Sequence, residues 1–440
     1  MSADEFNDED VIPFLSFSSF REAHKELITQ KRASEEDDKA AQEALWTAVT
    51  HFLERGETAG AYLDDENDRE SAQNLLDYWN NQLFHVRQEA PESILIDYNP
   101  ATQPEIPDSR CPYIGLESFT EKNDHLFFGR NELIKQLTNK ITTNQLVAVI
   151  GPSGSGKSSA ILAGLIPRLK RGEMPLSQTW HYYPRMVPGS SPLLRLAKLF
   201  HPSDTPDPEQ ILDTIDRFHE DSHSLAQMVS AHVGAPAVLV VDQFEETFTL
   251  CQDEIERQVF IDNLLHLANS YELRHLVIVT MRSDYEPYLN KVPLFQSLFE
   301  QGEVRVSAMN GSELREAIEK PADLVGLKFE QGLVDAVVRE IVGEPAALPL
   351  LQFALLQLWD HRERNRVTWE SYRKIGGVMQ ALANTADEFF NGLLPEEQVT
   401  AKRILLRIVR PSSGLEFTRT RVQRRLLHQS GEASDRIDRV

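Results

Sequence analysis

Residues 149–160, VIGPSGSGKSSA, constrain the fold of this chain more than any other stretch. An apolar run precedes the pattern G-x-x-x-x-G-K-[ST], and helical spacing of apolar residues follows it. This order predicts a strand, a phosphate-binding turn and a helix, because backbone N–H groups and a helix N-terminus together favour a bound anion. The nucleotide-binding residues predicted from the turn are Gly151, Pro152, Ser153, Gly154, Ser155, Gly156, Lys157, Ser158 and Ser159.

Two side chains of the turn have chemical roles of their own. Lys157 would reach the β- and γ-phosphates, which makes it a catalytic candidate as well as a binding residue. The hydroxyl of Ser158 would take one coordination position of Mg²⁺. The turn therefore predicts a bound nucleotide with Mg²⁺, and the resemblance described below implies that the nucleotide is ATP or ADP.

A second apolar run ends in three carboxylates, in the segment AVLVVDQFEE at residues 237–246. Ligand residues of a doubly wound sheet lie at the carboxyl ends of its strands, so Asp242 would hold Mg²⁺ through water. Hydrolysis also needs a carboxylate that orients the attacking water. We prefer Glu245 and keep Glu246 open, since only one of two adjacent side chains can point into the site. The alternative is that the three acids cap or solvate the start of a helix.

A third run, LVIVTMRSD at residues 276–284, ends in Thr280 and Arg282. A guanidinium beside the phosphates can sense a γ-phosphate through bidentate hydrogen bonds, so Arg282 is a further catalytic candidate. A structural ion pair between Arg282 and Asp284 is the alternative interpretation.

Composition and charge limit the class of protein. The 440 residues carry a net charge of −23 and two cysteines far apart, Cys111 and Cys251, which favours a reducing compartment. The N-terminus is acidic, and the longest apolar run, residues 346–359, is too short to span a bilayer. We expect a cytoplasmic chain without membrane contact. Residues 1–110 hold 25 acidic and 9 basic residues, which disfavours nucleic acid as a partner.

The residue patterns also divide the chain into units. Helical spacing, then clustered prolines, then alternating strands and helices predict an all-α N-terminal module, a linker and an α/β core with a parallel sheet and helices on both faces. After about residue 310 helices are expected to replace the strands up to residue 393, before a final segment starts another compact unit. The predicted strands are Leu146–Ile150, Trp180–Val187, Ala237–Val241, Leu276–Met281 and Val304–Ser307. The predicted units are residues 1–95, 96–112, 113–309, 310–394 and 395–440.

Taken together and in this order, the motifs resemble those of STAND-class NTPases, the signalling branch related to AAA+ ATPases. The resemblance spans residues 112 to about 430 and is strongest to the novel STAND group, which is often fused to WD-repeat propellers. The motifs are PYIGLESF and HLFFGRNEL before the turn, then GPSGSGKSS, VVDQFEE, VTMR and EPAALPLLQFALLQLW.

The resemblance implies further roles and further segments. Phe128, Gly129 and Arg130 would lie against the nucleotide base, and Pro349 would touch adenine. Ala347 stands where the family has the glycine of its G-x-P element. Residues 395–440 would begin a winged-helix domain, and a sensor region would follow Val440.

The resemblance also implies a function. We expect an ATP-binding, slowly hydrolysing signalling switch, with an ADP-bound off state and an ATP-bound state that self-associates. An unknown protein partner would bind the N-terminal module. Two alternatives remain: a scaffold that holds nucleotide without turnover, and a P-loop kinase of a small molecule.

Overall fold

The computed structural model describes residues 13–33, 39–87, 93–98, 105–201, 207–270, 273–344, 347–411 and 417–419. Its N-terminal part is helical, as predicted: α1 (Phe17–Ala33), α2 (Lys39–Ala59) and α3 (Glu66–Arg87) pack around a common apolar core. The largest fully buried side chains of that core include Trp79 and Phe20.

A five-stranded parallel sheet forms the centre of the described chain. Its strands are ordered β2-β3-β4-β1-β5. Gly151 pairs with Arg282, and Val241 pairs with Val279, so the turn and both polar strand ends meet at one edge. The strands are β1 (Leu146–Gly151), β2 (His181–Tyr182), β3 (Ala237–Val241), β4 (Leu276–Arg282) and β5 (Glu303–Arg305).

Helices cover both faces of this sheet, as the apolar strands require. Alternate β1 residues enter different cores: Ala148 and Ile150 pack on one face, while Val147 and Val149 pack on the other. A π-helical turn, Ala160–Leu165, separates α5 from α6. The helices of this unit are α4 (Asn131–Thr143), α5 (Lys157–Ser159), α6 (Ile166–Lys170), α7 (Pro192–Ala197), α8 (Pro208–Glu220), α9 (Ser224–Val233), α10 (Glu246–Thr249), α11 (Glu254–Ala268) and α12 (Pro293–Gln301).

Two predicted strands are shorter or shifted. The strand expected over Trp180–Val187 is limited to His181–Tyr182, with an isolated bridge from Met186 to Val241. Pro184 interrupts it, because proline has no N–H to donate to the ladder. The last strand is Glu303–Arg305 rather than Val304–Ser307.

A second apolar core lies beyond the sheet, in a mainly helical unit. The prediction that strands end near residue 310 is wrong in one detail: β6 (Lys328–Phe329) and β7 (Arg366–Val367) form a short parallel pair. The helices are α13 (Gly311–Val325), α14 (Leu333–Ile341), α15 (Leu348–Asp360), α16 (Trp369–Ile375) and α17 (Gly377–Gly392).

The C-terminal part begins with α18 (Pro395–Ile408), followed by the hairpin strands β8 (Val409–Pro411) and β9 (Phe417–Arg419). The remainder of the predicted winged-helix region, residues 420–440, lies outside the described residues. None of the described helices is both long enough and apolar enough to cross a membrane.

The N-terminal helices rest on the second helical unit. A Cβ at Gly326, which has a φ of +81°, would lie 2.5 Å from the carbonyl oxygen of Leu15. Nearby, Lys328 Nζ is 3.7 Å from Asp64 Oδ1. Backbone contact and charge therefore both join the N-terminal helices to the helical unit beyond the sheet.

Candidate nucleotide site

The phosphate-loop sequence folds as its glycines predict. Gly154 and Gly156 have φ values of +71° and +87°, a region that favours glycine. Lys157 starts α5 and is only 9% exposed. Its Nζ donates hydrogen bonds to the carbonyl oxygens of Gly151 (2.9 Å) and Pro152 (2.7 Å). Burial lowers the pKa of Lys157, although the Glu245 carboxylate opposes this.

Arg130 holds the phosphate loop through hydrogen bonds to backbone carbonyl oxygens. Its guanidinium donates to the carbonyl oxygens of Ser155 (2.9 Å) and Ser307 (3.0 Å), and the residue is 4% exposed. It therefore joins the loop to the chain just after β5. Its hydrogen bonds go to the protein backbone, and the residue also lines the cavity described below, so contact with the base stays a prediction.

The two residues before Arg130 have different environments. Gly129 has a φ of +82°, and a Cβ there would lie 2.2 Å from the carbonyl oxygen of Glu313 in α13, so a glycine is required. Phe128 lines the cavity described below, and Lys320 Nζ lies 5.8 Å from its ring centroid. Phe128 stays a predicted base contact.

Asp242 is fully buried at the end of β3, where three donors meet its carboxylate. Oδ1 accepts hydrogen bonds from the hydroxyls of Ser158 (2.7 Å) and Thr280. Oδ2 accepts one from Arg185 Nη1 at 3.0 Å. The hydroxyl and carboxylate oxygens are hard donors that suit Mg²⁺, so Ser158 and Asp242 fit the predicted metal position.

Sequence reasoning missed Arg185. The residue follows the interrupted edge strand β2, and nothing in its local pattern connects it to Asp242, 57 positions later. A basic residue at the end of a strand beside the phosphate-site strands was the available signal.

Glu245 and Glu246 both face the phosphate region, which leaves the choice between them open. Glu245 is half-buried, and its Oε2 accepts the backbone N–H of Arg282 at 3.3 Å. Burial raises the pKa of Glu245, while Arg282 and Lys157 act in the opposite direction. Glu246 is buried in the first turn of α10.

Arg282 adopts the arrangement that was kept as an alternative. Nε and Nη2 donate to the carboxylate of Asp284 at 3.0 and 2.6 Å, and the guanidinium lies 5.3 Å from the Tyr285 ring centroid. The side chain also lines the cavity. A role of Arg282 toward a γ-phosphate stays a prediction.

A cavity of about 660 Å³ connects these elements. Ser153, Gly154, Gly156, Lys157, Ser158 and Ser159 line it, whereas Gly151, Pro152, Ser155 and Asp242 are not among its lining residues. Glu245, Glu246, Thr280 and Arg282 line the sheet side. The volume falls in the range of small-molecule sites.

The helical unit supplies another wall of the cavity, through the start of α15. Leu348, Pro349, Leu351 and Gln352 line it, and contact of Pro349 with adenine stays a prediction. Ala347 has a φ of −74°, which any residue adopts, so alanine in place of the family's glycine introduces no strain.

A parallel sheet, a glycine-rich loop at the start of a helix and a buried acid on the adjacent strand end define a P-loop NTPase. The particular family follows from the sequence. The family model described as Novel STAND NTPase 1 matches residues 112–440, and the chain belongs to that family. None of the curated proteins matches this chain.

Three of the solved structures that this chain matches come from Pyrococcus abyssi and Aeropyrum pernix. The Walker-type ATPase PABY2304 of Pyrococcus abyssi is 13% identical, with a TM-score of 0.41 over 66% of this chain and 77% of that one. The ORC1 protein of Aeropyrum pernix, in complex with DNA, is 15% identical, with a TM-score of 0.42 over 64% and 72%. The ORC2 protein of the same organism, in ADPNP–ADP complexes, is 14% identical, with a TM-score of 0.43 over 69% and 79%.

Proposed function

We propose that this chain is an ATP-binding and slowly hydrolysing switch of the STAND type. The observation that carries the proposal is one cavity walled by the phosphate loop, by the carboxylate-bearing strand ends and by α15. A nucleotide there would touch both the α/β core and the helical unit. Its phosphate end would therefore bias how the two units pack.

The chemistry assigned to the residues follows from their positions. Lys157 would leave the carbonyl oxygens of its own loop and bind the β- and γ-phosphates. Ser158 and Asp242 would hold Mg²⁺, which neutralises phosphate charge when bound. Glu245 would orient the attacking water, because it is half-buried beside Lys157 and accepts a hydrogen bond that fixes its carboxylate.

The switching part of the proposal rests on the contacts of the N-terminal module. Leu15 and Asp64 touch the helical unit at Gly326 and Lys328, so movement of that unit would change how the module is held. We propose that ADP keeps this arrangement and that ATP opens it for self-association. Residues 1–110 carry a balance of −16, so assembly should strengthen with salt if these modules come close.

Binding of Mg-ATP and release of phosphate test the first part of the proposal. Lys157→Ala should weaken Mg-ATP binding by about 100-fold, since it removes a buried charge at the phosphates. Lys170→Ala is the matched control, because Lys170 pairs with Glu121 at the surface. Wild-type affinity in Lys157→Ala would contradict the site assignment. Transfer of phosphate to an added acceptor would favour the kinase alternative, and stable nucleotide without turnover would favour the scaffold.

Particle mass tests the switch separately. Glu245→Gln should form larger species with Mg-ATP than with ADP, measured by light scattering after size-exclusion chromatography. Equal masses, alongside normal ATP binding, would contradict the switch and leave the NTPase assignment intact.

A further inference from the structure

Gln243, the residue directly after Asp242, has a backbone conformation that residues other than glycine rarely adopt. Its φ is +55°, and among the described residues only Leu176 and Arg364 are further non-glycine residues with a positive φ. This left-handed region crowds the Cβ atom against the backbone, so a glycine would be less strained there. Strain of this kind persists where surrounding contacts hold it in place, and it is concentrated at functional sites.

Hydrogen bonds on both sides hold the backbone of Gln243. Its N–H donates to the hydroxyl of Thr280 (3.0 Å), which in turn donates to Asp242 Oδ1. Its carbonyl oxygen accepts the N–H of Glu246 at 2.9 Å. The next residue, Phe244, is fully buried and donates its N–H to the carbonyl oxygen of Thr280 at 2.8 Å. The same threonine therefore fixes both Gln243 and the buried acid.

Gln243 belongs to the wall of the nucleotide cavity. The residue is half-buried, whereas Asp242 and Phe244 on either side of it have no solvent exposure. Because both backbone polar groups of Gln243 are hydrogen-bonded within the protein, the side chain is the part that can act on a ligand. Lys157 and Glu245 line the same cavity, so this amide lies in the region predicted to hold the γ-phosphate.

We infer that Gln243 is a catalytic residue of the proposed hydrolysis and orients the attacking water through its side-chain amide. This inference rests on the proposed function and adds a second residue to the one assigned to the water there, Glu245. Oε1 would accept a hydrogen bond from the water, and Nε2 would donate one to a γ-phosphate oxygen. A single neutral amide can do both at once.

The amide gains and loses no proton in this step. The water oxygen bonds to the γ-phosphorus while the bond from that phosphorus to the β,γ-bridging oxygen breaks. The bridging oxygen leaves with the electron pair as part of ADP, and one proton of the water passes to Glu245. Gln243 aligns the water with the bond that breaks, which raises the rate of the chemical step and leaves the affinity for ADP unchanged.

Two substitutions separate the side chain of Gln243 from its backbone. Gln243→Gly removes the amide and the strain together, so its melting temperature should equal or exceed that of the wild type. Gln243→Met keeps the length of the side chain and the strained backbone but cannot form these hydrogen bonds. Phosphate release under saturating Mg-ATP should fall by about 10-fold or more in both variants. The affinity for Mg-ADP, measured by calorimetry, should stay within about 2-fold of the wild type.

Leu176→Gly is the control for relief of strain, because Leu176 also has a positive φ (+65°) but is exposed and lies outside the cavity wall. It should keep the wild-type rate of phosphate release. Undiminished release in Gln243→Met would overturn the inference, since a loss confined to Gln243→Gly would reflect a more flexible backbone.

Two other results would also overturn it. Loss of Mg-ADP binding in both variants would mean that Gln243 shapes the site and does not act on the water. A melting temperature of Gln243→Gly below that of the wild type would show that the backbone of Gln243 is not strained. Wild-type protein that binds Mg-ATP but releases no phosphate would instead contradict the proposed hydrolysis itself.

Discussion

Arg185 Nη1 lies 3.0 Å from Asp242 Oδ2, and this ion pair connects the end of the edge strand to the buried acid of the nucleotide site. Asp242 has no solvent exposure, whereas the Arg185 side chain is 41% exposed. The guanidinium thus balances a buried charge from the solvent side. A divalent cation at Ser158 would share Asp242 with this arginine.

Replacing Arg185 with glutamine should change the magnesium requirement of nucleotide binding. A neighbouring cation repels Mg²⁺, so Arg185→Gln should lower the Mg²⁺ concentration for half-maximal ADP binding by about 3-fold or more. Titration of Mg²⁺ at fixed ADP measures this. Arg195→Gln, an exposed change on α7, should leave the requirement unchanged. A requirement that stays constant or rises in Arg185→Gln would contradict the prediction.

Glutamine substitutions should separate the roles of Glu245 and Glu246. Glu245→Gln keeps the shape and removes the charge that polarises water, so ATP should still bind while phosphate release falls by about 100-fold or more. Glu246→Gln should have little effect. The reverse ranking would transfer the role to Glu246.

The same carboxylate predicts a pH dependence. Burial raises the pKa of Glu245, so the protonated, inactive form persists to a higher pH than for an exposed glutamate. The hydrolysis rate should therefore increase with pH, with an acidic limb whose midpoint lies above 4.5. Phosphate release under saturating Mg-ATP, followed from below to above pH 4.5, measures this midpoint. A midpoint at or below that value would argue against Glu245 as the base.

Lysine at position 130 should destabilise the phosphate loop. Arg130 holds two carbonyl oxygens with one planar fork, which a lysine ammonium cannot reproduce. Each charged hydrogen bond contributes about 1.5–3 kcal/mol, so Arg130→Lys should lower the melting temperature by about 4 °C or more. Arg168→Lys is the control, because its hydrogen bond to Asn131 is exposed. Similar melting temperatures for both variants would contradict the role of Arg130 in holding the two carbonyl oxygens.

Asp323 should make the fold less stable as the pH rises. Burial raises its pKa to about 6, helped by Glu319 and Asp68 and opposed by Lys328. In the unfolded chain an aspartate has a pKa of about 3.9, so the folded state binds the proton more tightly and loses stability between these two values as pH increases. Asp323→Asn should therefore melt higher than wild type at pH 7.5, and the difference should shrink toward pH 4.

Melting curves at both pH values check this, with the exposed Asp387→Asn as a variant that should match wild type throughout. A lower melting temperature for Asp323→Asn at pH 7.5, or a difference independent of pH, would contradict the prediction.

Much of the fold could be predicted because its signals are local. The apolar runs predicted β1, β3 and β4, and the glycine pattern predicted the phosphate loop. The structure adds contacts between residues distant in sequence. Arg185 reaches Asp242 from an edge strand that Pro184 interrupts, and Arg130 joins two backbones 25 and 177 positions away. No local pattern predicts such partners. The strands β6 and β7 were missed because two residues are too short for periodicity.

Each end of helix α13 lies close to the backbone of another segment. Near its start, the carbonyl oxygen of Glu313 leaves no room for a Cβ at Gly129, and just past its last residue Gly326 meets Leu15 in the same way. Neither glycine has a side chain that could change rotamer, so a displacement at either junction moves backbone against backbone, with Met309 Cε also beside Gly129. The helix is about 22 Å long. It therefore links the loop before α4 to the N-terminal helices, with a close backbone contact at each end.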